Sequence, residues 1–162
     1  MKTTKEMAQD LRKLYKKKGW NNRMVGVQVN YGSIDSSIVV IVKDVRVPYG
    51  EAMRIAKGAE HIDRCEMSGE ILGGGNCFVH IRLMDTVEME LTNRYREAVQ
   101  NAIAVLETAS SSCIVSVEGS TAGLSKEHAG CFRTWIDNRA GMMHFTAGTA
   151  ALEIALTDPD QR

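Results

Sequence analysis

No run of apolar residues in this 162-residue chain approaches the ~18 that a membrane-spanning helix needs, which excludes a helical membrane protein. Prolines number only two, which excludes a collagen-like or proline-rich chain. The four cysteines, at 65, 77, 113 and 131, follow no framework spacing, so free thiols in a reducing compartment are expected rather than disulfides. Net charge is also lacking: twenty Lys and Arg balance twenty Asp and Glu, and no global field draws the chain to nucleic acid or a membrane. Any such attraction must be local. The opening Met1-Lys2-Thr3-Thr4-Lys5-Glu6 leads into no apolar segment, so no secretory signal is read and the cytoplasm is the expected location. Catalytic signatures are missing as well. There is no Gly-x-Ser-x-Gly, and neither Gly73-Gly74-Gly75 nor Gly119-Ser120-Thr121-Ala122-Gly123 ends in the Gly-Lys-Ser/Thr of a phosphate cradle.

What the chain does have is an ordinary globular composition, 44% hydrophobic and 25% charged, and enough length for one domain or two small ones. Charge is unevenly spread. Residues 1–23 carry eight basic and two acidic side chains, whereas residues 86–162 carry six and ten.

The basic segment reads as a helix. Thr3 and Glu6 have capping-box spacing, Met7, Leu11, Leu14 and Tyr15 form an apolar stripe, and Gly19 ends it. From Val25 the period becomes 2: Val25, Val27 and Val29 alternate with polar or small residues, and Ile38 to Val42 is a β-branched run suited to a central strand. Pro48 opens a second helix reaching about Ile62. A second hairpin is expected from Cys65–Leu72 and Cys77–Met84 around Gly73-Gly74-Gly75-Asn76, followed by a long helix over 88–108 broken by Ser110-Ser111-Ser112. Further on, Ile114–Val117 and Phe132–Ile136 read as strands, residues 119–130 as a loop, and Met142–Phe145 and Leu152–Leu156 as strands, the Ala-rich 149–156 also fitting a helix. The fold class expected is α+β, helices packed on one face of antiparallel sheet, in the order α-β-β-α-β-β-α followed by β elements. Residues 1–88 would form an αββαββ domain. Residues 89–162 would form a long helix plus antiparallel strands, either separate or sharing the same core.

Within the first half, Val25-x-Val27-x-Val29, Ser33, Ser36-Ser37-Ile38-x-Val40-x-Val42-x-Asp44, a helix holding Ala52 and Ile55, and Glu70-Ile71-Leu72-x-Gly74-Gly75-Asn76 stand in sequence. Over about residues 8–76 this arrangement resembles the large polyvalent-protein-associated small domain family of phages and conjugative elements, with Ile34-Asp35 where the family has glycines before the serine doublet. The resemblance implies a small component of a mobile element, suspected of acting on host defence or DNA transfer, and carries over no catalytic residue. Ser36 and Ser37 are read structurally, as hydroxyls satisfying loop amides beside a strand entry.

The candidate binding residues are Arg12, Lys13, Lys16, Lys17 and Lys18 on the first helix, with Trp20 and Arg23 just past its end, where a base or phosphate could be met. The same lysines would also suit a solvated helix end. Cys77 with His80 and His128 with Cys131 have zinc-like i, i+3 spacing, but in a strand residues three apart point to opposite faces, so no metal and no cofactor is expected. Met142 and Met143 beside Phe132, Trp135 and Phe145 could make an adaptable apolar surface or simply fill a core. The expectation is a non-enzymatic accessory or anti-defence binding protein acting on a host protein in the bacterial cytoplasm, self-association being the other leading partner. The alternatives are a nucleic-acid-binding module using the basic helix, and a small enzyme acting on a nucleotide or nucleic acid, for which His61, His80, His128 or His144 would have to meet a carboxylate in a pocket.

Overall fold

A computed structural model of the chain describes residues 2–109, 113–127 and 130–158. The elements run α1 (Thr4–Lys17), β1 (Val25–Tyr31), β2 (Ser36–Val42), α2 (Tyr49–Lys57), β3 (Cys77–Leu83), α3 (Asp85–Thr108), β4 (Ile114–Ser116), β5 (Ala122–Lys126), β6 (Phe132–Ile136), β7 (Arg139–His144) and α4 (Ala147–Thr157). The class is α+β. The chain divides into two compact units, Met1–Val87 and Glu88–Arg162.

In the first unit, β1 and β2 pair antiparallel from Val25↔Val42 to Tyr31↔Ser36, which places β2 at the centre of a three-stranded sheet. Alternation then decides which side is covered: Val25, Val27, Ile38, Val40, Val42, Cys77 and Val79 are buried in one cluster with Ala8, Leu11 and Tyr15 of α1 and Ala52 and Ala56 of α2. Both helices therefore cover one face. The Tyr15 hydroxyl donates to the Ala52 carbonyl at 3.0 Å and ties them together, and burial pushes its phenol well above its usual range. The capping box expected at Thr3 and Glu6 is formed on both sides.

The structure departs from the sequence reading after α2, which stops at Lys57 rather than Ile62. Residues 65–72 make no strand. Cys65 to Gly69 close a turn through Gly69 N–H to the Cys65 carbonyl at 2.8 Å, Gly69 takes φ +72°, and only the isolated pairings His61↔Cys77 and Arg64↔Ile71 remain. Without a hairpin partner, β3 pairs parallel to β2, from Ser36↔Cys77 to Val42↔Leu83, with α2 in the crossover. Asn76, 1% exposed, pins the intervening loop: it takes the Asp63 amide at 2.8 Å and donates to the Leu72 carbonyl at 2.7 Å and Asp35 Oδ1 at 3.0 Å. Ser36 Oγ donates to the Asn76 carbonyl at 3.3 Å and lies 2.5 Å from Thr4 Oγ1, so the first serine of the doublet meets a loop carbonyl rather than the loop amides expected of it.

In the second unit, β4-β5-β6-β7 form an antiparallel sheet with α4 packed on β6 and β7. Along α3, Leu91, Tyr95, Val99, Ala102 and Leu106 make the buried stripe, while Val105 is exposed. Residues 122–126, expected within a loop, are strand β5. Gly123 belongs there because a Cβ would come within 2.6 Å of Ile114 Cγ2, so the glycine marks close strand approach rather than a flexible link. Residues 152–156, read as a strand in preference to a helix over 149–156, belong to helix α4. Thr146 caps it by accepting the Thr149 amide, and Ala150, Ala151, Ile154 and Ala155 fall on one buried side. Ser110-Ser111-Ser112 lie outside the described residues.

Candidate functional site

The basic helix ends in a shaped feature. Lys16 and Lys17 occupy its last turn and Lys18 caps it. Gly19 at φ +84° turns the chain back, so that Trp20 N–H reaches the Tyr15 carbonyl at 3.0 Å and its ring lies 5.9 Å from that of Tyr15. The next turn is held by Asn21, whose side chain accepts the Arg23 amide at 2.9 Å and whose carbonyl accepts the Met24 and Val25 amides. Between this turn and α1 lies a recess of about 370 Å³ lined by Arg12, Lys13, Lys16, Trp20, Asn21 and Asn22.

Its cations differ in how far they are engaged. Arg12 Nη2 donates to the Val27 carbonyl of β1 at 2.7 Å, which spends one of its five donors and fixes the guanidinium. Lys13 Nζ lies 3.4 Å from Asp10 Oδ1, but Asp10 is held more closely by Lys2 at 2.7 Å, and these two lysines keep its carboxyl below the ordinary carboxylate range. Lys16 and Lys17 are exposed and form no ion pair among the described residues. Lys18 is committed elsewhere, to Glu51 of α2 at 2.6 Å.

Of the seven candidates, then, Arg12, Lys13, Lys16 and Trp20 line the recess, while Lys17, Lys18 and Arg23 do not. Three contributors escaped the sequence reading. Asn21 and Asn22 looked like turn residues only, and Lys43, just past β2, donates to the Asn22 carbonyl at 3.3 Å. Lys43 gets there by lying across Gly26, where a Cβ would stand 2.8 Å from Lys43 Cε. A glycine in a valine strand was the one available signal.

The other constellations resolve differently. Cys77 is buried and His80 exposed, as strand alternation requires; His128 lies outside the described residues. Among the described residues no three His, Cys, Asp or Glu side chains gather as a metal site would need. His144 does meet a carboxylate, with Nε2 2.5 Å from Glu153 Oε2, and the Thr134 hydroxyl donates to the same oxygen. For nucleophilic catalysis the hydroxyl would have to contact the imidazole, whereas here Glu153 stands between them. The cluster instead repairs a β-bulge between Arg133 and Trp135, since Glu153 Oε1 accepts the Met142 amide at 3.2 Å. Ser120 makes the β4–β5 turn, taking the Ala122 amide at 3.1 Å and donating to the Val117 carbonyl at 2.9 Å, which commits that glycine-flanked loop to the hairpin. Met142, Met143 and Phe145 are exposed, but Phe132 is buried, so the proposed apolar surface is only partly assembled.

No family model, curated protein or solved structure matches this chain. Among the described residues no helix is long and apolar enough to cross a membrane.

Proposed function

We propose that this protein acts by binding rather than by catalysis, and that it holds an anionic partner at the recess beside α1. The observation that carries the reading is that Arg12, Lys13 and Lys16 line one hollow, with Lys43 donating to the carbonyl of its lining residue Asn22 and, among the described residues, no acidic side chain lining it. The resemblance over residues 8–76 supplies a setting for this activity: an accessory or anti-defence factor of a phage or other mobile element, whose partner in the host presents negative charge.

Retention on immobilised heparin at low salt tests the binding reading. The wild-type chain is expected to bind and elute with rising salt, and the Lys13→Glu, Lys16→Glu, Lys17→Glu triple variant to flow through. A second triple variant with the same change in net charge, Arg94→Glu, Lys126→Glu, Arg139→Glu, is expected to bind like wild type. Equal loss from both triple variants, or no wild-type retention, would count against a local site.

A further inference from the structure

We infer that the occupant of the α1 recess is a single-stranded nucleic acid, its phosphates on Arg12, Lys13 and Lys16 and one base against Trp20. This rests on the reading of the recess as an anion site and names the anion. Three features select it. The first is the mixture of groups: cations alone would serve any acidic surface, but this hollow is also lined by Trp20, Asn21 and Asn22, the Asn21 side-chain oxygen already accepting the Arg23 amide. An indole offers a stacking surface, and the Asn22 amide offers a donor and an acceptor to a base edge. An acidic protein segment would engage the cations and leave that chemistry unused.

The second feature is size. About 370 Å³ is near the lower end of the ~300–1,000 Å³ span of small-ligand sites, a volume on the scale of one nucleotide rather than of a base-paired duplex. A duplex also keeps its base faces inside the stack, so it can offer the recess phosphates but no face for Trp20. The third is rigidity. Trp20 is held through its amide on Tyr15 and by ring contact with Tyr15, Arg12 is anchored on Val27, and the Asn21 turn is closed by three amides. A platform fixed before binding loses little freedom when a flexible strand settles on it.

The test compares labelled oligonucleotides of about twelve nucleotides by fluorescence anisotropy, a length within the usual single-strand site range. The probes are oligo-dT, an abasic strand of equal charge, a duplex and poly-glutamate. Oligo-dT is expected to bind at least roughly tenfold tighter than the abasic strand or the duplex. Its log affinity should fall with log salt at a slope of about −2 to −3, as three or four neutralised phosphates give. Trp20→Leu should weaken oligo-dT by roughly tenfold while leaving the abasic strand unchanged, a difference that loss of structure would not produce. Should that variant fail to fold, the wild-type comparison of oligo-dT with the abasic strand decides alone. Equal binding of those two, or tighter binding of duplex or poly-glutamate, overturns the single-strand assignment and leaves the anion site standing. Failure to bind any of the four probes or heparin removes both.

Discussion

Glu153 Oε2 lies 2.5 Å from His144 Nε2 while Oε1 accepts the Met142 amide at 3.2 Å, so one carboxylate on α4 closes the gap that a bulge opens between β6 and β7. With Thr134 donating to it as well, Glu153 holds helix to sheet at the point where the ladder fails.

Replacing Glu153 by Gln should cost about 2 kcal/mol, because charge-assisted hydrogen bonds become neutral and one partner is left without an acceptor. Urea unfolding reads the loss. The pH dependence follows from the same contacts. Burial by itself raises the Glu153 pKa, but the hydrogen bonds from Thr134, His144 and the Met142 amide prevail and place it below the ordinary 4.5. The folded carboxylate thus binds a proton less readily than the unfolded one. Its contribution is complete above about pH 4.5 and disappears as pH falls through the folded value. Wild-type stability should decline in that acidic window more steeply than that of Glu153→Gln, and parallel curves would refute this account.

Gly141→Ala should be destabilising by about 1–3 kcal/mol, since its Cβ would press into Thr134 Oγ1 and stand 3.0 Å from Glu153 Oε1. The two substitutions share partners. In a double-mutant cycle, Glu153→Gln should therefore cost less in the Gly141→Ala background than in wild type, and strict additivity would show that the bulge and the carboxylate are independent.

Asn76→Ala removes three hydrogen bonds and leaves the Asp63 amide and the Leu72 carbonyl without their partner, for a loss of about 2–3 kcal/mol. Limited proteolysis gives the more specific readout. The first cuts should move into residues 58–76, because this loop depends on Asn76 rather than on a strand ladder.

Cys65 should be the most readily alkylated of the two thiols in the first unit. Hydrogen bonds from the Ser68 side chain, then from the Ser68 and Met67 amides, hold its pKa below 9.0, whereas Cys77 is buried. Ser68→Ala should move the midpoint of the Cys65 iodoacetamide rate profile to higher pH. An unchanged midpoint would exclude the Ser68 contact as its cause.

Much of the candidate site was visible in the string of residues, though not its shape. Arg12 and Lys13 stand four and three positions before Lys16 on α1, which already groups the three cations, whereas Trp20 joins them only because Gly19 turns the chain back. Lys43 and Asn22 are 21 positions apart, and their meeting depends on the β1–β2 register and on the space left by Gly26. Lys18 shows the converse: its place in the basic run suggested a partner outside, but Glu51 on α2 claims it.

Local physics wrote α1 and the β1–β2 hairpin into the sequence. A capping box, an apolar stripe and alternating valines are satisfied among near neighbours, and the order of the larger elements follows from them. What only the tertiary structure decided was where neighbouring signals conflict: whether Gly123 loosens a loop or admits Ile114, whether the alanines after Thr146 extend or coil, and whether β3 finds its partner behind it or across α2. In each case the local free-energy difference is small. Burial against residues distant in the chain is larger, and it selects the conformation.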